Sequence, residues 1–230
     1  GLGWRTALLL GIVVFVVLFV LFRRTPLPKA VRLPEGEVSR PLPRRFWAYW
    51  LVIVLGVAIE WSLGFWGADF LVSAVGLEKV TAATLMSVFF VAIVIGRTVG
   101  SRLTRTRDSR QLLVYAVAVV CVGFPLFWLA QVPLLNIVGL FVAGLGIANL
   151  FPLTLSVASG IDPAQSNKVS ARVSMASGIA ILIAPQVLAS FADRVGLFNA
   201  FGVAAALLLA ATLIVFAENR LAPAASTAGK

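Results

Sequence analysis

Residues 57 to 70 read VAIEWSLGFWGADF, a stretch of apolar and small residues that nevertheless holds two carboxylates, Glu60 and Asp69. An ionised group in hydrocarbon costs about 3 kcal/mol or more, so a carboxylate kept there turns toward a cavity or a partner and handles protons, cations or polar solutes. Arg97, in VAIVIGRTVG, is a further charge inside an apolar run, and ANLFP adds an amide at Asn149 and a helix-bending proline at Pro152. A proline removes one backbone donor and leaves the carbonyl four residues earlier without its helical partner. The indoles of Trp61 and Trp66 flank the two carboxylates and suit stacking on sugars, aromatics or cations. Other reaction classes lack their residues: the chain has no histidine and one cysteine, Cys121, so imidazole metal sites, His-based triads and disulfides cannot form within it. It is not expected to be an enzyme, and no cofactor or metal ion is expected.

The elements that position these groups follow from composition. Of 230 residues, 60% are hydrophobic and 12% charged, with a mean hydropathy of +1.02, whereas a soluble domain is about half apolar and about a quarter charged. Seven apolar runs, each near the roughly 20 residues that span a bilayer core, lie at about Thr6 to Phe22, Phe46 to Ala74, Ala82 to Leu103, Gln111 to Leu129, Leu134 to Ala158, Val169 to Phe191 and Leu197 to Phe216. The expected fold is an all-α polytopic membrane protein of seven transmembrane helices. The net charge of +10 is a topology signal rather than a nucleic-acid footprint, because much of it sits in two connections, RRTPLPKAVRLPEGEVSRPLPRR with seven basic residues and TRTRDSR with three. Both belong on the cytoplasmic side, which puts Gly1 outside and the C-terminal tail inside. The chain divides into a first helix, 1–22, a Pro-rich basic linker, 23–45, a six-helix block, 46–217, and a tail, 218–230. The first run is read as a span rather than a signal peptide, being long and without a small-residue cleavage site. The linker's basic residues suit anionic headgroups at about 1 kcal/mol each, although topology and tethering explain them as well.

Depth ranks the candidates. Glu60 lies 14 residues past Phe46, about 21 Å along a helix and close to mid-membrane, which makes it the first functional candidate. Asp69 falls nine residues further on, about 13 Å nearer the outer end and on the opposite face unless Gly64 and Gly67 break the helix. Arg97 is about 9 Å from the inner end, where its side chain can snorkel. The depths of Glu60 and Arg97 thus differ by about 12 Å, which argues against a direct pair. Asn149 is balanced between bonding a solute and bonding another helix, while Gly139, Gly144, Gly146, Gly178 and Ala184 are read as packing positions. Trp47, Trp50 and Trp128 suit the membrane interfaces, and Cys121 is read as a small packing residue.

Runs two to four and five to seven form two triplets, the 3+3 inverted repeat of many transporters. GWR at Gly3 to Arg5, the long basic linker, GRTVGSRLTRTRDSR at Gly96 to Arg110, GLGIANLFP at Gly144 to Pro152 and SGIAILIAPQVLASFADRVG at Ser177 to Gly196 together resemble the second half of a major facilitator superfamily transporter, from just before its sixth helix. The resemblance implies that the seven runs are helices six to twelve and that the segment bearing Glu60 lines the substrate cavity. It further implies that Gly100, Arg105, Pro152 and Pro185, with Arg97, serve gating or structure. The family's basic loop carries Asp four residues after its Gly; here Thr104 stands at that place after Gly100 and Arg107 stands where a Gly is usual, so the salt bridge made by that Asp is not carried over. The expected function is secondary active transport of a small solute by alternating access, coupled to protons through a carboxylate such as Glu60. The expected partners are the lipid bilayer, the solute, protons and the N-terminal half of the same transporter, with no nucleic acid, in the inner (plasma) membrane. Carboxylates in this helix would suit a cation or a proton-coupled neutral solute. A self-contained seven-helix receptor and a dimeric half-transporter are the alternatives; a retinal protein is disfavoured, because Leu197 to Phe216 contains no lysine.

Overall fold

The computed structural model describes residues 4–25, 40–130 and 132–221, and these are almost entirely helical. The expected linker falls largely, and the tail mostly, outside the described residues, as does Gly3 of GWR. The chain divides into two units, residues 1–40 and 41–230. The first holds α1, Trp4–Phe22, a 19-residue apolar helix about 28 Å long. The second is a bundle of six helices: α2 (Arg44–Ser73), α3 (Lys79–Leu103), α4 (Ser109–Leu129), α5 (Pro133–Ile161), α6 (Ser166–Val195, led in by a 3-10 turn at Pro163–Gln165) and α7 (Leu197–Leu221). All six are long and apolar enough to cross a membrane, by length and composition.

Local signals set the ends. Asp108 caps α4 by accepting from the backbone N–H of Arg110 at 3.1 Å, and Pro133 opens α5, where its missing N–H costs nothing. Gly76 and Gly196 follow α2 and α6 at φ +79°, a conformation any side chain would strain. Helix α7 continues to Leu221, so Glu218, at the head of the expected tail, is helical. Its carboxylate accepts from Arg45 Nε of α2 at 2.9 Å. At the other end of the bundle the same two helices meet through aromatic rings, Phe70 of α2 lying 4.9 Å from Phe201 of α7 and 4.8 Å from Phe127 of α4, centre to centre.

The packing carries the repeat. If α2, α3 and α4 are exchanged with α5, α6 and α7, the contact of α3 with α5 becomes that of α6 with α2, and α2 with α7 becomes α5 with α4; all four are extensive. The exception is that α6 packs on α7 whereas α3 and α4 barely touch. Close approach is permitted by glycine. Gly123 of α4 lies against the backbone of Val142 and Ala143, and Gly139 of α5 against that of Leu126 and Phe127, so these two helices meet backbone to backbone. Where no hydrophobic effect drives helices together inside lipid, such contact is a main source of cohesion. The small residues Gly139, Gly144 and Gly146 thus pack as expected. Gly178 does not: a Cβ placed there meets nothing within 4 Å.

Candidate functional site

Helix α2 is unbroken from Arg44 to Ser73, so Gly64 and Gly67 do not interrupt it and Glu60 and Asp69 do not share a site. Gly67 instead makes room for Met86 of α3, whose sulfur would lie 2.8 Å from an added Cβ. Asp69 is exposed.

Glu60 is half-buried, and its Oε1 accepts from Arg97 Nη2 at 3.4 Å. The depth count argued against this pair, and the reason it failed is geometric. Helix α2 has 30 residues and α3 has 25, about 45 and 37 Å against a core of about 30 Å. Their ends overhang the core by different lengths, so depths counted from the two ends have no common origin. The long arginine stem spans what remains, and Arg97 turns toward Glu60 rather than simply snorkelling outward.

Three cavities meet around this pair. One of about 380 Å³ is lined by Glu60, Trp61, Arg97, Phe151 of α5, and Ser174, Ser177 and Gly178 of α6. A second, about 220 Å³, lies on the other side of Glu60 and Trp61 and is aromatic, with Phe65, Phe89 and Phe90. The third, about 650 Å³, runs from Arg97 toward the end where α4 begins, past Ser101, Thr104, Asn149, Pro152, Ser109 and Ser156. The hydroxyls of Ser109 and Ser156 lie 3.0 Å apart.

The remaining candidates divide. Trp61 lines two of the three cavities. Trp66, by contrast, donates its indole N–H to the carbonyl of Pro185 at 2.9 Å, which ties α2 to α6. Asn149 donates to the carbonyls of Gly96 and Leu145, both at 3.0 Å; its amide joins α5 to α3 while its side chain still borders the third cavity. Gly100 sits against the Asn149 carboxamide with no room for a Cβ. Pro152 leaves the carbonyl of Ala148 without its helical donor and lies on the cavity wall. Pro185 is buried within α6, and Arg105 is exposed in the turn after α3. Ser174, Ser177, Gly178 and Phe151 were missed at the sequence level. A signal was present: Ser166, Ser170, Ser174 and Ser177 recur at steps of four, four and three, a polar stripe along one helical face.

A flexible cation beside a half-buried carboxylate, with hydroxyls on one side and rings on the other, can exchange partners, accept a proton and hold a small amphipathic solute. Comparison with known proteins bears on the fold and the family. A curated relative from Yersinia pestis, an uncharacterised MFS-type transporter, is 24% identical over 211 residues, which is 91% of this chain and 54% of that protein. The chain therefore spans about half the length of the curated relative it matches. Among solved structures, the POT family transporter PepTSo superposes with a TM-score of 0.71 over 83% of this chain and 40% of its own, at 14% identity, a likeness of fold. The family description Major Facilitator Superfamily matches residues 1–163 of the 230, and the chain belongs to that superfamily: it is a multi-pass membrane protein of the transporter class rather than an enzyme.

Proposed function

We propose that the chain is the C-terminal half, with one preceding helix, of a secondary active transporter that moves a small solute by alternating access and couples it to protons at Glu60. The observation that carries this reading is the contact of Glu60 with Arg97 inside a cavity walled by α2, α3, α5 and α6. Charges at such a depth are costly and are kept where they act on a solute or proton path. Family membership supports transport over the receptor alternative. The basic residues Arg44, Arg45, Arg102, Arg105, Arg107 and Arg110 gather at one end of the bundle, the end at which Glu218 of α7 meets Arg45; on the positive-inside rule this is the cytoplasmic end. The N-terminal half supplies the other wall of the cavity, and rocking of the two halves exposes it alternately to each side.

The test uses the full-length protein in proteoliposomes. An imposed proton gradient, inside and outside otherwise matched, is expected to drive net accumulation of the solute, and collapsing the gradient with a protonophore is expected to abolish it. Accumulation indifferent to the gradient would remove the proton from the mechanism.

A further inference from the structure

The composition of the site, taken with the Glu60–Arg97 contact, narrows the solute. Within a low-dielectric cavity a change of partner is cheap only if the total charge stays matched. Glu60 can lose its charge by taking up a proton, whereas the guanidinium of Arg97 cannot be discharged. The pair is therefore asymmetric: protons can free Arg97 from Glu60, but nothing frees Glu60 from Arg97. A cation bound here would leave two positive groups facing one carboxylate. An anion that takes Arg97 while Glu60 becomes a neutral acid leaves the site as neutral as before.

Exposure and neighbours agree with that direction. The Arg97 side chain is 57% exposed and that of Glu60 18%, so the cation faces open cavity and the carboxylate sits behind it. Arg97 offers five N–H donors, and a single one meets Glu60, at 3.4 Å. It also borders the 650 Å³ cavity, whose lining holds the hydroxyls of Ser101, Thr104, Ser109 and Ser156 and no carboxylate. Beside Glu60 the rings of Trp61, Phe65, Phe89 and Phe90 line an open, largely apolar cavity of about 220 Å³. The groups that face Glu60 from the helices packed around it are Arg97 of α3, Phe151 of α5, and Ser174 and Ser177 of α6. Among these lining residues Glu60 is the one carboxyl group, able to be neutralised by a proton, and Arg97 the one permanent charge.

Building on the proposed transport role of this pair, we infer that the solute is an organic anion with an apolar or aromatic body, whose oxyanion displaces Glu60 from Arg97 as Glu60 binds a proton. The balance is simple. One proton joins the Glu60 carboxylate, the Arg97 contact passes from Glu60 to the oxyanion, no covalent bond of the solute changes, and anion and proton cross together without net charge.

Binding to the full-length protein in nanodiscs of neutral lipid tests this with three probes sharing one ring system: 1-naphthoate, 1-naphthylmethylammonium and 1-naphthalenemethanol. Naphthoate is expected to bind more tightly than the other two and more tightly in mildly acid than in mildly alkaline buffer. Calorimetry in buffers of different ionisation enthalpy is expected to show proton uptake with it. Loss of a charged hydrogen-bond donor weakens binding by about tenfold or more, so Arg97→Gln is expected to do the same to naphthoate and to leave the alcohol unchanged. If that variant does not fold, Arg97→Lys retains a charge without the fork and is expected to bind naphthoate at an intermediate strength. Preference for the ammonium or the alcohol, naphthoate binding without proton uptake, or no binding of any probe would overturn the anion assignment. Gradient-driven transport by the wild-type protein is measured separately, so proton-coupled transport survives or fails independently of this result.

Discussion

Gly178→Trp is expected to reduce transport by the full-length protein to the level of empty vesicles while leaving it folded. Gly178 lies on α6 facing the cavity of about 380 Å³ that also contains Glu60 and Arg97, and a Cβ there meets nothing within 4 Å. A large side chain at this position therefore starts from open space and extends into the cavity a solute must occupy. Substitutions that disturb no packing usually change stability by no more than about 0.5 kcal/mol, so the melting temperature is expected to stay within a few degrees of wild type. Gly160→Trp is the matched control, because Gly160 is equally open and exposed yet borders none of the three cavities. Full transport in Gly178→Trp would mean that solute does not pass between α2 and α6.

Gly96→Leu is expected to act in the opposite way, through loss of the folded protein. A Cβ at Gly96 would lie 2.6 Å from the carbonyl oxygen of Leu145 and 2.9 Å from Cβ of Ala148. These are backbone and near-backbone atoms of α5 that cannot rotate aside, so α3 and α5 must separate. Overpacking costs about 1–3 kcal/mol, and separation also loses the bond from Asn149 to the Gly96 carbonyl, worth about 1 kcal/mol. Against a total stability of about 5–15 kcal/mol this is a large fraction. Thermal denaturation of the purified full-length protein should show a markedly lower transition or little folded material. Because Arg97 is the next residue and moves with this crossing, whatever protein survives should transport poorly. An unchanged transition would mean that α3 and α5 are not held at this spacing.

What could be read in the sequence follows from how local each signal is. Hydropathy located the seven long α-helices seen among the described residues, six of them long and apolar enough to cross a membrane, because crossing a membrane imposes a length and a composition that no tertiary contact overrides. Glu60 stood out as a charge near the middle of α2, and the roles of Gly139, Gly144 and Gly146 followed from the need for close approach. Relations between helices were less legible. The contact of Arg97 with Glu60 was counted away because the overhang of α2 and α3 beyond the membrane core is set by their packing and leaves no trace in either helix alone. The same holds for Trp66: its place beside Asp69 suggested a cavity residue, yet its N–H is used by Pro185 of α6, a carbonyl 119 residues away along the chain. Gly178 was grouped with the packing glycines on residue type, yet a Cβ there meets nothing within 4 Å and the residue lines the cavity that holds Glu60. The serine stripe of α6 was readable as a helical periodicity and would have pointed to Ser174 and Ser177 as polar lining.

Proton movement during solute transport, followed with a pH-sensitive dye trapped in proteoliposomes, tests the central role of Glu60 most directly when the full-length wild type is compared with Glu60→Gln. Wild type is expected to move protons in fixed ratio with solute. Glu60→Gln, which keeps the shape and loses the titrating group, is expected to exchange solute across the membrane with no accompanying proton flux and no accumulation against a gradient. The same ratio of protons to solute in both proteins would contradict the account and place the coupling carboxylate elsewhere.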